Sequence, residues 1–82
     1  MTDAPDAPQR VVKRSLQIAG HRTSVSLEDI FWNELRAIAT MRETSVAALV
    51  AEIDSARGEA NLSSACRVYV VERLREKTAR DQ

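Results

Sequence analysis

Two runs of alternating apolar and polar residues flank a short turn signal near the start of the chain. The turn signal is Ala19-Gly20-His21, and the apolar members of the two runs are Val12, Leu16, Ile18, Val25 and Leu27. A period of two is typical of strands that bury one face, and a glycine between two such runs is typical of a hairpin. The pattern therefore predicts a β-strand at residues 22–27, preceded by an extra strand at residues 12–18.

Pairing of the two strands around Gly20 predicts which side chains share a face. Directly opposed residues of a hairpin lie on the same face, so the apolar and polar positions separate. The face predicted to be dry holds Leu16, Ile18, Thr23 and Val25. The face predicted to form hydrogen bonds holds Ser15, Gln17, Arg22, Ser24 and Ser26.

Helical periodicity begins at Glu28, where apolar residues start to recur at intervals of three and four. This spacing predicts a first helix at about residues 29–42. Thr44 or Ser45 can cap a second helix, which Gly58 would end in a left-handed conformation. The chain is therefore predicted to be α+β and mostly α, with a β-strand or hairpin followed by helices.

The C-terminal part of the chain predicts a third helix, for which Asn61 offers a cap. Residues 68–71 favour a strand by propensity alone. No turn signal surrounds this short apolar run, however, and residues 72–77 continue as strong helix formers. We therefore expect a helix over residues 61–77.

The small number of reactive residues limits the chemistry that the chain can perform. It has 82 residues, with one Cys and one His, so an internal disulfide and a zinc site are excluded and no cofactor is expected. The sequence pairs no Ser or Cys nucleophile with a base and contains no glycine-rich phosphate loop. We expect that the protein is not an enzyme.

The N-terminal residues 1–9 are predicted to be a disordered arm, because they contain two prolines and two aspartates and few apolar residues. They lack the apolar run of a secretory signal. No later segment approaches the roughly 20 apolar residues of a membrane span. The expectation is a cytoplasmic protein without a membrane segment.

The apolar content predicts a homodimer. A domain of this size hides only about 60% of the surface of its unfolded chain, yet 44% of its residues are apolar. Part of that apolar surface is therefore expected to be shared with a second copy. The residues predicted for the shared core are Val25, Leu27, Phe31, Trp32, Leu35, Ile38, Leu49, Val50 and Ile53.

The charges are balanced overall but unevenly distributed. Twelve basic and twelve acidic residues cancel, whereas residues 9–27 hold four bases and no acid. Those bases are Arg10, Lys13, Arg14 and Arg22. This segment can present a positive surface to phosphates. A strand edge that is protected from aggregation by charge would show the same pattern.

The segment RTSVSLEDIFWNELRAIATMRETSVAALVAEI, residues 22–53, resembles the ribbon-helix-helix repressors of the MetJ and Arc type. The segment IAGHRTSVSLEDIFW is also similar to bacterial ribbon-helix-helix proteins that have an extra strand before the turn. The resemblance implies an intertwined homodimer whose β-ribbon enters the major groove of DNA. Residues 10–80 would then form one such domain with an additional C-terminal helix.

The resemblance also implies residues for a DNA-binding site. Arg22, Ser24 and Ser26 would contact base edges, as expected of a sequence-specific transcriptional regulator. The residues implied as phosphate ligands are Lys13, Arg14, Thr44, Ser45 and Val46. Many relatives have a glycine before the cap of the second helix, whereas this chain has Glu43 and Thr44. The turn is therefore expected to form without a residue that favours positive φ.

A second hypothesis is a protein-interaction or assembly module that does not bind DNA. It is motivated by the net charge of zero and by the extra strand. If that strand pairs beside the reading strand in both subunits, the dimer has a four-stranded sheet, which is wider than a groove of about 12 Å. The helix at residues 61–77 would then be available to a protein partner.

Overall fold

A computed structural model describes residues 8–80, which form a β-hairpin followed by three helices. The strands are β1, Val11–Ile18, and β2, His21–Glu28. The helices are α1, Asp29–Met41, α2, Val46–Ala56, and α3, Leu62–Arg80. The predicted α+β architecture is confirmed, including the extra strand and the third helix. Residues 1–7 of the predicted N-terminal arm, which is expected to cover residues 1–9, lie outside the described residues.

The hairpin turns through Ala19 and Gly20 alone. β1 and β2 pair antiparallel with Ile18 opposite His21, so His21 belongs to β2 rather than to the turn. Both turn residues have positive φ, 51° at Ala19 and 83° at Gly20. Positive φ at both positions is the geometry of a type I′ turn, whose twist matches that of the strands it joins. The turn therefore fixes the register of the whole hairpin.

The register separates the side chains into the two predicted faces. Leu16 is opposite Thr23, and Ser15 is opposite Ser24. On the inner face Ile18, Val25 and Leu27 are buried under the helices. Most polar side chains of the outer face are exposed.

The core is closed within one chain. All nine residues predicted for a shared core are buried or partly buried there. Phe31 and Ile38 are the partly buried ones. The indole Nε1 of Trp32 donates a hydrogen bond to the Val12 carbonyl over 2.9 Å and ties α1 to β1. Seven of the nine side chains are therefore shielded from water within one chain, and only Phe31 and Ile38 keep a partly exposed surface.

The predicted start and end of α2 and the predicted start of α3 are confirmed, whereas α3 continues to Arg80, three residues past its predicted end. The Ser45 hydroxyl accepts a hydrogen bond from the Ala48 N–H over 3.0 Å, which caps α2. The Asn61 side chain accepts one from the Ser64 N–H over 3.2 Å, which caps α3. Gly58 follows α2 with a φ of 63°, the left-handed geometry expected after a helix.

Helix α1 is capped in a way that the sequence did not predict. The Glu28 side chain makes no capping hydrogen bond. Instead, the Asp29 N–H donates to the Arg10 carbonyl over 2.8 Å, and the Ile30 N–H donates to the Pro8 carbonyl over 3.2 Å. The first N–H groups of a helix have no acceptor within the helix. The backbone that leads into β1 supplies acceptors for two of them in α1.

Side chains far apart in sequence fasten α3 to the other elements. Arg42, which follows α1, donates to the Tyr69 hydroxyl over 3.0 Å and to Glu52 of α2 over 2.9 Å. One guanidinium therefore joins all three helices. Residues 74–80 of α3 are exposed. Within residues 8–80, none of the helices combines the length and the apolar character that crossing a membrane requires.

The turn before α2 contains a strained residue, because Glu43 has a φ of 57°. Positive φ therefore occurs there without a glycine. We expect Glu43→Gly to raise the free energy of unfolding by about 0.5–1 kcal/mol, since the left-handed strain of about 1–2 kcal/mol outweighs the added flexibility of the unfolded chain. Urea denaturation measures this change. Glu43→Ala is the control because it removes the charge and keeps Cβ, and equal stabilities of the two variants would contradict the strain.

Candidate nucleic-acid interface

The outer face of the hairpin is a two-row array of polar side chains. Three cross-strand pairs form it: Lys13 opposite Ser26, Ser15 opposite Ser24, and Gln17 opposite Arg22. All of these side chains are exposed except that of Ser26, which is half-buried. The rows are about 4.8 Å apart, the usual spacing of paired strands. The structure therefore presents donors and acceptors on one narrow ribbon, which we call the polar ribbon.

The predicted base-contacting residues Arg22, Ser24 and Ser26 all lie on the polar ribbon, at alternate positions of β2. The Arg22 Nη1 donates to the Ser15 hydroxyl over 3.4 Å. This is a long hydrogen bond between exposed groups, and such bonds contribute little net stability. The guanidinium can therefore leave Ser15 for a better acceptor at small cost.

The predicted phosphate ligands of β1 lie on opposite sides of the sheet. Lys13 belongs to the polar ribbon, whereas Arg14 pairs with Val25 on the inner side. The Arg14 guanidinium lies 5.5 Å from the centre of the Trp32 ring, in a cation–π contact. Arg14 is exposed at that margin of the sheet. The two charges are neighbours in sequence, but the strand period places them on different faces.

The start of α2 holds the other predicted phosphate ligands. The Thr44 N–H donates to the Ala39 carbonyl over 2.9 Å, and the Ser45 hydroxyl is occupied by its capping bond. Among residues 8–80, the N–H groups of Ser45, Val46 and Ala47 have no acceptor. Unpaired amides at the positive end of a helix dipole favour an anion. The exposed Glu43 lies next to them in the chain and opposes that preference.

Glu28, at the end of β2, is the acid closest in sequence to the polar ribbon, and its charge is compensated. Arg67 Nε on α3 donates to Glu28 Oε1 over 2.9 Å. This hydrogen bond holds the pKa of Glu28 below its usual value. The Arg67 guanidinium also lies 5.9 Å from the centre of the Phe31 ring. Sequence reasoning missed Arg67, because its partner is 39 residues away and no local pattern connects the two.

The described part of the structure contains neither a metal-binding cluster nor an exposed thiol. Residues 8–80 contain no cluster of three or more His, Cys, Asp or Glu side chains placed to hold a metal ion. Cys66 of α3 is buried in the core. Its burial raises the pKa of the thiol from 9.0 to about 11. Such a thiol is a poor nucleophile near neutral pH.

Comparisons with known proteins identify relatives of this fold. A family model described as a ribbon-helix-helix domain matches residues 11–74. Among solved structures, the chain is similar to an uncharacterized protein from Bordetella pertussis Tohama I, with a TM-score of 0.79 and 32% sequence identity. The alignment covers 93% of this chain but 65% of that one. A search of curated proteins found no match.

We expect Cys66 to be unreactive toward a thiol reagent such as DTNB in the native protein at pH 8 and fully reactive in denaturant. Its folded pKa of about 11 lies above the unfolded value of 9.0, so the thiol favours the unfolded state as the pH rises from 9 toward 11. The stability of the wild type relative to Cys66→Ala should fall across that window. Rapid labelling of the native protein at pH 8 would contradict the burial.

Proposed function

We propose that this chain, which belongs to the ribbon-helix-helix domain family, is a homodimeric, sequence-specific DNA-binding protein that regulates transcription. The observation that carries the proposal is the polar ribbon, a narrow row of hydrogen-bonding side chains on the side of the sheet opposite the core. An antiparallel two-stranded ribbon fits the major groove of B-DNA, where base edges differ for each base pair. A repressor or another regulator of this kind would act in the bacterial cytoplasm.

Four residues of the polar ribbon have roles suited to their chemistry. Arg22 donates two parallel hydrogen bonds to guanine O6 and N7, the commonest base-specific contact in the major groove. Ser24 and Ser26 donate to or accept from base edges and discriminate less between bases. Lys13, at the far end of the ribbon from the turn, neutralises a phosphate and contributes affinity without sequence preference.

The start of α2 would add a phosphate contact through the N–H groups of Ser45 and Val46. Thr44 contributes its hydroxyl rather than its amide, since the amide is occupied by Ala39. Arg14 would reach a phosphate only by leaving the face of Trp32. These contacts fix the position of the protein on the duplex, while the polar ribbon provides the sequence preference.

The homodimer is expected to use surface that each chain leaves exposed, because the predicted core is already buried within one chain. The exposed large apolar residues are Val11, Ile30, Met41, Val68, Val71 and Leu74. Burying part of this surface against a second copy would place two polar ribbons on one assembly. Such a dimer matches an operator with two half-sites.

A second candidate function, a protein-interaction or assembly module, is favoured by the groove between α1 and α3. This groove of about 260 Å³ is lined by four apolar residues, among them Ile38, Met41 and Leu74, and by six charged residues. Met41 is 78% exposed. A module of this kind would bind a protein partner with little dependence on salt and would not be retained on DNA.

Substituting Arg22→Ala is expected to lower the preference for the cognate site over a mismatched site by about 5- to 150-fold, because the bidentate contact to guanine is lost. Lys13→Ala is the matched control. It should weaken binding to both sites equally. It should also reduce the magnitude of the slope of log affinity against log salt by about 0.9, the contribution of one phosphate contact. Fluorescence anisotropy with duplexes at several salt concentrations measures both effects.

Two results would count against the proposed function. Unchanged discrimination in Arg22→Ala would exclude Arg22 as a base-contacting residue. Failure of the wild type to bind any duplex from a random library at low salt would exclude DNA binding itself and leave the interaction module.

A further inference from the structure

We propose that Gln17 of β1 reads an adenine beside the guanine read by Arg22, so that the hairpin of a single chain is a complete reading ribbon. This inference rests on the proposed DNA-binding function and names its target more closely. The target is duplex DNA with a G·C pair next to an A·T pair in each half-site. β1 then serves as the second strand of the reading element rather than as an obstruction.

The width of the sheet supports one hairpin per groove. Within residues 8–80 the sheet has two strands, and β1 is the partner of β2. Two strands about 4.8 Å apart leave room for side chains in a groove of about 12 Å. A four-stranded sheet built from two copies would measure about 14 Å between its outer strands and would not fit. The hairpin formed within one chain has the dimensions that the groove accepts.

The register brings Gln17 and Arg22 together. Ile18 and His21 flank the two-residue turn and form the first hydrogen-bonded pair of the hairpin. The next pair, Gln17 and Arg22, is therefore a non-hydrogen-bonded pair, in which the side chains are closest, with Cα atoms about 4.5 Å apart. Both side chains are exposed on the polar ribbon. This Cα separation of about 4.5 Å is comparable with the rise of about 3.4 Å between neighbouring base pairs.

The chemistry of the two side chains is complementary. Gln pairs bidentately with adenine N6 and N7 in the major groove, as Arg does with guanine O6 and N7. Within the described residues the Gln17 carboxamide makes no hydrogen bond, so it is free to bind. Arg22 donates to Ser15 across the ribbon, and Gln17 is exposed. The pair thus distinguishes two adjacent base pairs with four hydrogen bonds.

The test is selection of binding sites from a random duplex library with the full chain and its variants. The wild type should select adjacent G·C and A·T pairs. Arg22→Ala should lose the preference for guanine at the first of these positions, and Gln17→Ala should lose the preference for adenine at the second. Each preference should fall by about 5- to 150-fold. Gln17→Lys should change the second preference from adenine to guanine, because Lys donates to O6 and N7.

Gln9→Ala is the matched control, because Gln9 is exposed and precedes the hairpin. It should leave both preferences unchanged, and circular dichroism of every variant confirms folding.

A Gln17→Ala variant that selects the same site as the wild type would overturn the inference while leaving the proposed function intact. If the wild type selects no sequence from the library, both the inference and the proposed function are overturned. Loss of preference in Gln17→Ala at the position read by Arg22 would overturn the inference as well, since Gln17 would then only support Arg22.

Discussion

The structure depends on the pairing of β1 with β2 inside one chain through a two-residue turn. The positive φ values of Ala19 and Gly20 close the turn, and Ile18 opposite His21 sets the register. Since side chains alternate along a strand, this single choice determines the face of every residue that follows. A shift by one residue would expose Val25 and Leu27 and would bury Arg22. The turn thus determines both the core and the surface proposed to bind DNA.

The helices stabilise this hairpin and leave most of its outer face exposed. Trp32 holds α1 against the backbone of β1, and the carbonyls that precede β1 cap the start of α1. At the other end, Arg67 of α3 compensates the charge of Glu28, which would otherwise repel phosphates. The helices are therefore packed on the inner face, and the polar ribbon keeps donors and acceptors that the fold itself does not need.

Local sequence patterns predicted those features that depend on residues close together in the chain. Alternation predicted both faces of the hairpin, and Ser45 and Asn61 predicted the helix starts. Alternation could also have placed Arg14 on the face opposite Lys13, but grouping residues by charge obscured that signal. The contacts of Arg67 with Glu28 and of Arg42 with Tyr69 could not be predicted, because they join distant segments. The positive φ of Glu43 was likewise unexpected, since a glycine normally occupies such positions.

A single chain forms the hairpin that carries the polar ribbon. The most direct test of this arrangement is an isotope-filtered NOE experiment on a mixture of labelled and unlabelled protein. Ser15 and Ser24 are directly opposed in a non-hydrogen-bonded pair, whose α-protons approach closely. We predict a strong NOE between these α-protons within one labelled chain. An NOE found only between chains, or none at all, would contradict a hairpin closed within one chain.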